Sequence, residues 1–532
     1  MRDAPAGQLA RLYLGLKIAP YVDELESFAL SLPQSQEDVA VEGAANEDVP
    51  EPQADRDPKA PKPDPNTVGW AGETDRDNPQ NWSTVKKTLV FSQICLLTFA
   101  IYSASAIITP AEGTFEEIYG VTAEVSALVL SMYVLGYGLG PLIFSPMSEM
   151  PMVGRNVAYM SSFFIFIVMT AVGSRVSNFP GFVVVRFIQG FFGGPVLATG
   201  AASAQDIFPF NKVPYALSCW AFFAYGGPAL GPLVSGFAVT LSTWRWAMYE
   251  TLILSGFTFI VLFFFLPETN ADYILSQRAA RLRAKTGDSN LLSRTESHAG
   301  SKNWVKLTVY HLTMPFKITI LDPSILFINL YTALVYGIYY SFFESFPIVY
   351  LGIYGFSIGI MGVVFLCVII GAGFGVIVYT LLVWFIYEPY TLTNGIGKPE
   401  YRLVPGIFAA ALGPAGMFIF GYAAKSDITW VAPTVGIALY AATSFVLVNV
   451  IFIYLPISYP RYAASVFAAN GFFRSAIACG AIHFSQPLFN NLGVGNGCAI
   501  LGSLAAACAF GFLALWRYGP ALRARSKFAE TY

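Results

Sequence analysis

Two polar side chains, Arg186 and Gln189, interrupt the otherwise apolar or glycine-containing run FVVVRFIQGFFGG at residues 182–194. A charge inside a long apolar segment costs about 2.5 to 3.5 kcal/mol on insertion scales, so this arginine should face a protein interior or water. A fixed cation there could control the protonation of a nearby carboxylate, or it could bond to backbone carbonyls and only fasten one helix. The sequence favours the first role and leaves the second open.

Three acidic residues are candidates for the carboxylate that exchanges a proton. Glu344 lies among aromatic residues in YYSFFESFPIVY, where partial loss of hydration would allow proton exchange near neutral pH. Asp206 follows the run that holds Arg186, and Glu250 comes five residues after Arg245, with which it could form a simple ion pair. The expected order for proton exchange is Glu344, then Asp206, then Glu250.

A second arginine, Arg474, lies in the apolar segment PRYAASVFAANGFFRSAIACG. It lies 13 residues past Arg461, near the start of this segment, which corresponds to about 20 Å of helix. A second buried cation favours a cavity for anionic or oxygen-bearing compounds, and a purely structural pairing is an equal alternative. Aromatic faces with scattered hydroxyls hold flat organic molecules. The predicted cavity residues are Gln189, Tyr336, Tyr340, Phe343, Asn470 and Arg474.

These residues must be positioned by membrane-spanning helices. Of the 532 residues, 55% are hydrophobic and only 12% are charged. Apolar runs long enough to cross a membrane recur along the chain. They should be helices, because a lipid-facing backbone must satisfy its own hydrogen bonds. The sequence predicts an all-α membrane protein of 12 spans, near 88–110, 125–147, 157–174, 180–203, 214–238, 247–266, 324–347, 360–386, 403–423, 430–455, 462–487 and 495–516.

The spans divide into two sets of six, joined by a long loop. A weak internal repeat supports this division, since GYGLG at 136–140 and GAGFG at 371–375 lie in the second and eighth spans. Two repeated halves are typical of transporters that expose a central site to each face in turn. The predicted regions are 1–30 (amphipathic), 31–86 (acidic, disordered arm), 87–267 (first six-helix bundle), 268–323 (linker), 324–517 (second bundle) and 518–532 (tail).

Lysine and arginine indicate which side of the membrane holds the termini. An even number of spans places both termini on one side, and the opposite loops carry only Arg175, Arg245 and Lys425. Basic loops remain in the cytosol, so both termini should be cytosolic. The basic stretch 278–285 fits this topology better than specific binding of lipid. We expect a multi-pass protein that works as a monomer in the plasma membrane, with the vacuolar membrane as an alternative.

The fifth span contains a dense pattern of glycine and proline, GGPALGPLVSG, at residues 226–236. Because glycine has no side chain, a neighbouring backbone can approach closely. Prolines remove backbone donors and bend the helix. The pattern predicts a pliant helix that takes part in conformational change. The residues concerned are Gly227, Pro228, Gly231, Pro232 and Gly236.

This pattern resembles the antiporter motif of the major facilitator superfamily. The segments NPQNW at 78–82, ESFP at 344–347 and PRYAASVFAANGFFRSAIACG resemble fungal drug:proton antiporters with 12 spans, closest to the benomyl, cycloheximide and fluconazole resistance type. The resemblance implies two bundles of six helices. It also implies that Arg186, with Gln189 and Gly190, takes part in proton transfer.

The resemblance further implies a gate between spans two and three. Ser148-Glu149, Gly154 and Arg155 resemble the superfamily signature in which an acid and an arginine hold helix ends together. The spacing from Glu149 to Gly154 is two residues longer than in the general signature, which leaves the partner of Glu149 open. A polar turn at the membrane surface is the alternative.

Together these observations predict a proton-coupled exporter of drugs, toxins or secondary metabolites. The chain has no GxxxxGK[ST] phosphate loop, so an ion gradient must supply the energy. No catalytic residues, metal site, cofactor or nucleic-acid partner are expected, because HExxH and GxSxG patterns are missing and the cysteines lie in predicted spans. The expected partners are a small organic substrate, protons and the lipid bilayer. A proton-coupled importer of a sugar or other nutrient, or a non-transporting membrane sensor, remains the alternative.

Overall fold

The computed structural model describes residues 2–14, 21–24, 67–72, 74–150, 152–293, 295–296, 304–395 and 397–529. Most of the predicted acidic arm, residues 31–66, lies outside these ranges. The described residues are mostly helical, with a single pair of two-residue strands. The architecture is therefore all-α, as the sequence predicts.

Six helices that are long and apolar enough to cross a membrane form the first half of the chain. They are Thr84–Tyr119, Ala123–Glu149, Gly154–Gly173, Phe179–Ile207, Val213–Leu241 and Arg245–Phe265, here called spans 1 to 6. Span 1 bends where its α-helix Thr84–Ala106 ends, and it continues through a 3-10 turn at Thr109–Ala111 into the helix Glu112–Tyr119. Pro110 lies in that turn, and its missing N–H accounts for the break.

Five further helices of this kind form the second half. They are Pro323–Ile353, Ile358–Asn394, Pro399–Ala423, Val431–Ser458 and Ser465–Arg525. The last has 61 residues, which at 1.5 Å per residue is about three membrane thicknesses. It reverses at Gly493, whose φ of 79° and ψ of 156° are not helical. The helix therefore supplies spans 11 and 12, and the predicted count of 12 is confirmed.

Asp322 fastens the ends of several spans on one side of the molecule. Its Oδ1 caps span 7 by accepting from the backbone N–H of Ser324 at 2.9 Å. Its Oδ2 accepts from Tyr459, after span 10, at 2.9 Å and from Ser526, after span 12. We call this side, which also holds the segment before span 1, the terminal face, and the opposite side the far face.

The linker and the chain before span 1 form a folded layer on the terminal face. The helix Ala271–Thr286 follows span 6, the helix Trp304–Leu321 precedes span 7, and Pro5–Leu14 forms a helix near the N-terminus. Strand Thr67–Val68 pairs in parallel with Leu292–Ser293. Part of the segment expected to be disordered, from residue 67 onward, thus contacts the linker.

Ion pairs explain why the basic stretch of the linker does not simply face solvent. Arg278 is 1% exposed and contacts Asp75 at 2.6 Å and Asp77 at 3.0 Å, while Arg281 contacts Asp23 at 2.8 Å. Burial alone would raise the pKa of Asp75, but hydrogen bonds from Arg278 and from backbone N–H groups hold it below its ordinary value. Arg278 and Arg281 of the linker are therefore neutralised by aspartates that lie before span 1.

Candidate functional site

Arg186 is fully buried inside the first bundle and bonds to four oxygens. Its guanidinium donates to the carbonyls of Val129, Ala104 and Ser105 at 3.1, 2.9 and 2.9 Å, and to Gln189 Oε1 at 2.8 Å. It also lies 4.2 Å from the ring centre of Tyr133. None of its partners among the described residues is a carboxylate. In this conformation Arg186 joins spans 1, 2 and 4.

The break in span 1 explains why a cation is stable at this position. The last four carbonyls of an α-helix lack intrahelical donors and carry the negative end of the helix dipole. The helix Thr84–Ala106 ends two residues after Ala104, so the guanidinium satisfies carbonyls that the helix leaves free. This geometry supports the fastening role that the sequence left open, and it supplies no direct contact to a proton-carrying acid.

A chain of hydroxyl groups runs from this region across the interface between the bundles. The Ser105 hydroxyl lies 3.3 Å from the Tyr340 hydroxyl. The Tyr137 hydroxyl lies 2.9 Å from that of Tyr340 and 2.8 Å from that of Tyr336. Ser105 and Tyr137 belong to the first bundle, whereas Tyr336 and Tyr340 belong to span 7. Movement of one bundle against the other must therefore rearrange this chain.

The chain ends at a small central cavity that both bundles line. Two pockets of about 20 and 10 Å³ share Tyr102, Tyr336 and Arg474. Arg474 lies 5.1 Å from the ring centre of Tyr336 and 5.2 Å from that of Phe452. Its Nε has no hydrogen-bond partner within the described part of the chain. The centre of the molecule thus presents an uncompensated cation surrounded by aromatic rings.

A larger cavity of about 340 Å³ opens on the terminal face. Residues at the terminal ends of spans 4, 5, 9 and 10 line it, including Gln205, Leu217, Arg402 and Ile453. Trp220 lies one turn deeper than Leu217 on span 5, and Phe452 lies next to Ile453 on span 10. Their ring centres are 6.0 Å apart, and both line the central cavity. This aromatic pair separates the two cavities.

The far face is closed by direct packing between bundles. A Cβ added to Gly362 of span 8 would meet the Pro232 carbonyl at 2.6 Å, and one added to Gly236 would meet the Ile358 carbonyl at 3.2 Å. His483 of span 11 contacts the Ser131 hydroxyl of span 2 at 2.8 Å. The conformation is therefore open toward the terminal face and shut toward the far face.

The other predicted cavity residues are placed away from the cavities. Gln189 donates to the Thr170 hydroxyl at 2.7 Å while it accepts from Arg186. Asn470 joins spans 7 and 11 through the Thr332 hydroxyl at 2.7 Å. The ring of Phe343 stacks on that of Phe365 of span 8, with the ring centres 5.0 Å apart. In this conformation these three side chains do not line the cavity. They hold together the helices that form its walls.

The three candidate carboxylates have different surroundings. Glu344 is 1% exposed and accepts from Gln486 at 2.9 Å. Asp206 forms an ion pair with Arg155 at 2.9 Å near the terminal face. Glu250 is half-buried, and no ion pair joins it to Arg245, which donates instead to the Val176 carbonyl at 3.0 Å. Of these three, only Glu344 is buried with no cation beside it among the residues that the structure describes.

The predicted gate between spans 2 and 3 is organised by Glu268, which the sequence analysis missed. Its carboxylate accepts from the backbone N–H groups of Arg155, Asn156, Thr269 and Asn270 at 2.8 to 3.1 Å. It therefore caps span 3, where N–H groups lack intrahelical partners. Burial raises the pKa of Glu268, and the four N–H groups offset part of that effect.

Gly154 of the signature makes this cap possible. Gly154 has a φ of 71°, and an added Cβ would lie 2.5 Å from the Glu268 carboxylate. Arg155 also donates to the Ser148 hydroxyl at 3.1 Å. Glu149 forms no ion pair among the described residues, so Arg155 pairs with Asp206 rather than with Glu149.

The glycines of span 5 allow close backbone contact with span 1. A Cβ on Gly227 would lie 2.8 Å from the Ser103 nitrogen, and one on Gly231 would lie 2.8 Å from the Ser103 carbonyl oxygen. Pro228 lines the central cavity. The motif thus places span 5 directly against the break in span 1.

Gly231→Ala should lower the melting temperature and transport, because the new methyl group meets backbone that cannot rotate away. Gly226→Ala is the matched control, since its Cβ would meet nothing within 4 Å. Both changes improve helix propensity by about 1 kcal/mol, so only the clash distinguishes them. Equal melting temperatures for the two variants would contradict the close contact.

The sequence signals for several site residues were weak. Tyr102, Tyr137 and Trp220 are single aromatic residues in spans rich in them, and only the fold shows that they face the centre. Glu268 follows Leu266 and Pro267 directly after span 6, and an acid at that position is a possible signal for a cap. Two of its four partners, Arg155 and Asn156, lie more than 100 residues away.

Comparisons with known proteins agree with this architecture. A family model described as Major Facilitator Superfamily matches residues 94–482. The "MFS-type transporter pyvG" of Aspergillus violaceofuscus is 43% identical over 87% of this chain and 85% of its own. The "Cycloheximide resistance protein" of Candida maltosa is 38% identical over 87% and 86%. "Fluconazole resistance protein 1" of Saccharomyces cerevisiae is 37% identical over 88% and 86%.

Solved structures share the fold at low sequence identity. The proton:xylose symporter XylE matches with a TM-score of 0.58 at 14% identity, over 82% of this chain and 96% of its own. The human organic anion transporter MFSD10 matches with a TM-score of 0.54 at 15% identity, over 80% and 99%. With its two bundles, glycine-rich fifth span and extensive family match, the chain belongs to the major facilitator superfamily of membrane transporters.

Proposed function

We propose that the protein exports small organic compounds in exchange for protons by alternating access. The observation that carries this proposal is the central cavity, which both bundles line and which lies next to a larger cavity that opens on the terminal face. Rocking of the bundles would open the same cavity to the far face. The names of the relatives, which include resistance to cycloheximide and to fluconazole, support outward transport of foreign or endogenous organic compounds.

In this proposal the terminal face lies in the cytosol of a plasma-membrane protein. The terminal face carries most of the basic residues near the spans, as the positive-inside rule requires. A cavity open to this face can accept a compound from inside the cell. The cavities described are formed within a single chain, which supports a functional monomer.

Proton movement supplies the energy in this proposal. One charge moving through 100 mV releases about 2.3 kcal/mol, which can concentrate a compound some tens of fold. Arg186 would contribute indirectly, because Ser105 carries both a carbonyl that binds the guanidinium and the hydroxyl that contacts Tyr340 of the other bundle. A shift of span 1 would thus be passed to span 7.

Cells with and without the protein test the function directly. Accumulation of cycloheximide and fluconazole should be lower in cells that express it, and a protonophore should abolish the difference. Identical accumulation in all four conditions for both compounds would refute their export by this chain. If the protonophore instead lowered accumulation in cells that express the protein, the result would favour a proton-coupled importer of the nutrient type, which moves its substrate into the cell.

Arg474 is expected to select compounds that carry a negative charge or a strongly polar oxygen beside an aromatic ring. Its cation has no carboxylate partner within the described chain and stacks on two rings, so a flat anion would both stack and neutralise it. Arg474→Met should reduce export of fluorescein, an aromatic anion, by about tenfold or more and change export of neutral cycloheximide much less.

The matched control for this prediction is Arg517→Met, which removes an exposed arginine from the same bundle. Arg474→Lys should keep part of the fluorescein export, because the charge remains but the planar stacking surface does not. Equal losses for fluorescein and cycloheximide in Arg474→Met would indicate a purely structural arginine.

A further inference from the structure

The cavity that opens on the terminal face, here called the vestibule, is lined by a single charged side chain. Within the described part of the chain its lining consists of Arg402, the carboxamides Gln80 and Gln205, and apolar residues such as Phe210 and Leu217. Both bundles contribute, because Gln205 and Leu217 belong to spans 4 and 5 and Arg402 lies at the start of span 9. The vestibule is therefore an apolar hollow that contains one cation.

Cavity size determines where an organic compound can bind in this conformation. The two central pockets, of about 20 and 10 Å³, have room for no more than about one water molecule each. The vestibule, of about 340 Å³, falls within the range of about 300 to 1,000 Å³ that is usual for ligand pockets. A compound that arrives while Trp220 and Phe452 are in contact can therefore bind in the vestibule and not at the centre.

Arg402 is held in place but keeps part of its hydrogen-bonding capacity. The residue is 8% exposed, and its Nη2 donates to the Thr391 hydroxyl at 2.8 Å. The guanidinium also lies 5.8 Å from the ring centre of Phe210 in the opposite bundle and 5.6 Å from that of Tyr387. Its Nε and Nη1 donate to none of the described residues, so these groups can donate to a bound ligand.

No acid neutralises Arg402 among the described residues, because the nearby carboxylates have other partners. Glu400, two residues earlier, accepts from Arg523 at 2.8 and 3.0 Å. Glu388 of span 8 accepts from Lys212 of the opposite bundle. Since a buried charge is costly unless it is paired, this cation favours a ligand that brings a negative charge.

We propose that the vestibule is a first binding site for aromatic compounds that carry a carboxylate or a similar anionic oxygen, and that Arg402 receives the anion. The inference rests on the export proposed above and adds a site that a compound occupies before it reaches the centre. The aromatic part packs against the apolar wall, and the anionic oxygen accepts charge-assisted hydrogen bonds from the guanidinium. Neutral aromatic compounds fit the same wall but leave the cation unpaired.

The aromatic pair makes the vestibule and the central cavity successive sites. The Trp220 indole N–H donates to the Thr98 hydroxyl of span 1 at 2.9 Å, which holds this ring within the first bundle. Phe452 belongs to the second bundle, and its ring centre lies 5.2 Å from the Arg474 guanidinium. Movement of span 10 away from span 5 would separate the two rings. The compound could then pass from Arg402 to Arg474.

A photoreactive aromatic carboxylate, para-benzoylbenzoate, tests the site on the purified full-length protein in lipid nanodiscs. Irradiation attaches the probe to residues that it contacts, and mass spectrometry of the digested protein locates them. Adducts should lie within residues 205–217 and 453–460, which contain most of the vestibule lining. In Arg402→Met the probe concentration for half-maximal labelling should rise by about tenfold or more, because the charge-assisted hydrogen bonds are lost. Arg402→Gln, which keeps an N–H donor but loses the charge, should behave in the same way.

Two control variants and a second probe separate binding by the cation from local disruption. Thr391→Ala removes the hydrogen-bond partner of Arg402 and leaves the cation, so labelling should persist. Arg517→Met removes an exposed arginine from the same bundle and should match the unmodified protein. Labelling by the neutral para-benzoylbenzamide should fall much less in Arg402→Met than labelling by the carboxylate.

Three results would overturn the site. They are adducts confined to span 11 or to lipid-facing residues, equal labelling of Arg402→Met and Arg517→Met, and equal losses for the carboxylate and the amide. Export from cells is measured separately with the unmodified chain. If that chain exports cycloheximide and one of the three results is found, the proposed function stands and only the vestibule site is wrong.

Discussion

Arg186→Met is expected to abolish proton-driven export and to destabilise the first bundle by several kcal/mol. The helix-end carbonyls of Ala104 and Ser105 and the side-chain oxygen of Gln189 would lose their donor, and a buried acceptor left without one costs about 1 to 3 kcal/mol. Methionine fills similar volume, so the loss reflects hydrogen bonds and charge. The measurements are the melting temperature of the purified protein and gradient-driven transport in vesicles.

Arg186→Lys separates the charge from the geometry of the guanidinium. Lysine keeps the cation but lacks the planar fork that reaches acceptors on three spans, so folding should be partly restored while transport remains strongly reduced. Arg175→Met, which removes an exposed arginine from the same bundle, should change neither quantity. Full transport by Arg186→Met would mean that spans 1 and 4 need no fastening at this point.

Glu268→Ala should have the second largest effect, a marked loss of thermal stability and of folded protein at the membrane. Four backbone N–H groups around the start of span 3 would lose their acceptor in a buried site. At about 1 to 3 kcal/mol for each buried donor, the total is a large fraction of a typical stability. Melting temperature and membrane abundance are the readouts.

Glu268→Gln provides the graded comparison for this prediction. Its amide oxygen can take the place of Oε1, which accepts from Arg155, Thr269 and Asn270, so only the bond from Asn156 to Oε2 is lost. It should be much less damaging than alanine. Asp272→Ala removes an exposed acid four residues away and should be neutral. Equal stability of Glu268→Ala and Asp272→Ala would refute the cap.

The sequence was sufficient to predict the family architecture, because span length and lack of charge are properties of continuous segments. Eleven apolar helices, the last of which folds back at Gly493, reproduce the twelve predicted spans. The glycine and proline pattern of span 5 also predicted close packing. Contact as close as that with span 1 at Gly227 and Gly231 requires glycine, so the prediction did not depend on knowing the partner helix.

Contacts between distant segments could not be predicted in the same way. Glu112 follows the bend at Pro110 and is surrounded by Gly113, Glu116 and Glu117, so its local sequence looks like an exposed loop. In the fold it is nevertheless buried, with only 8% of its surface exposed. Arg278 likewise looked like a surface cation, and its partner Asp75 lies 203 residues earlier in the chain.

The central claim, exchange of a proton for an organic compound, is tested most directly in vesicles that contain only the purified protein and lipid. With an acidic interior and a neutral exterior, protons leaving through the protein should drive cycloheximide, fluconazole or fluorescein into the vesicles. Uptake should exceed that of protein-free vesicles and stop when a protonophore removes the pH difference. Uptake that is the same with and without the pH difference for every compound would contradict the account.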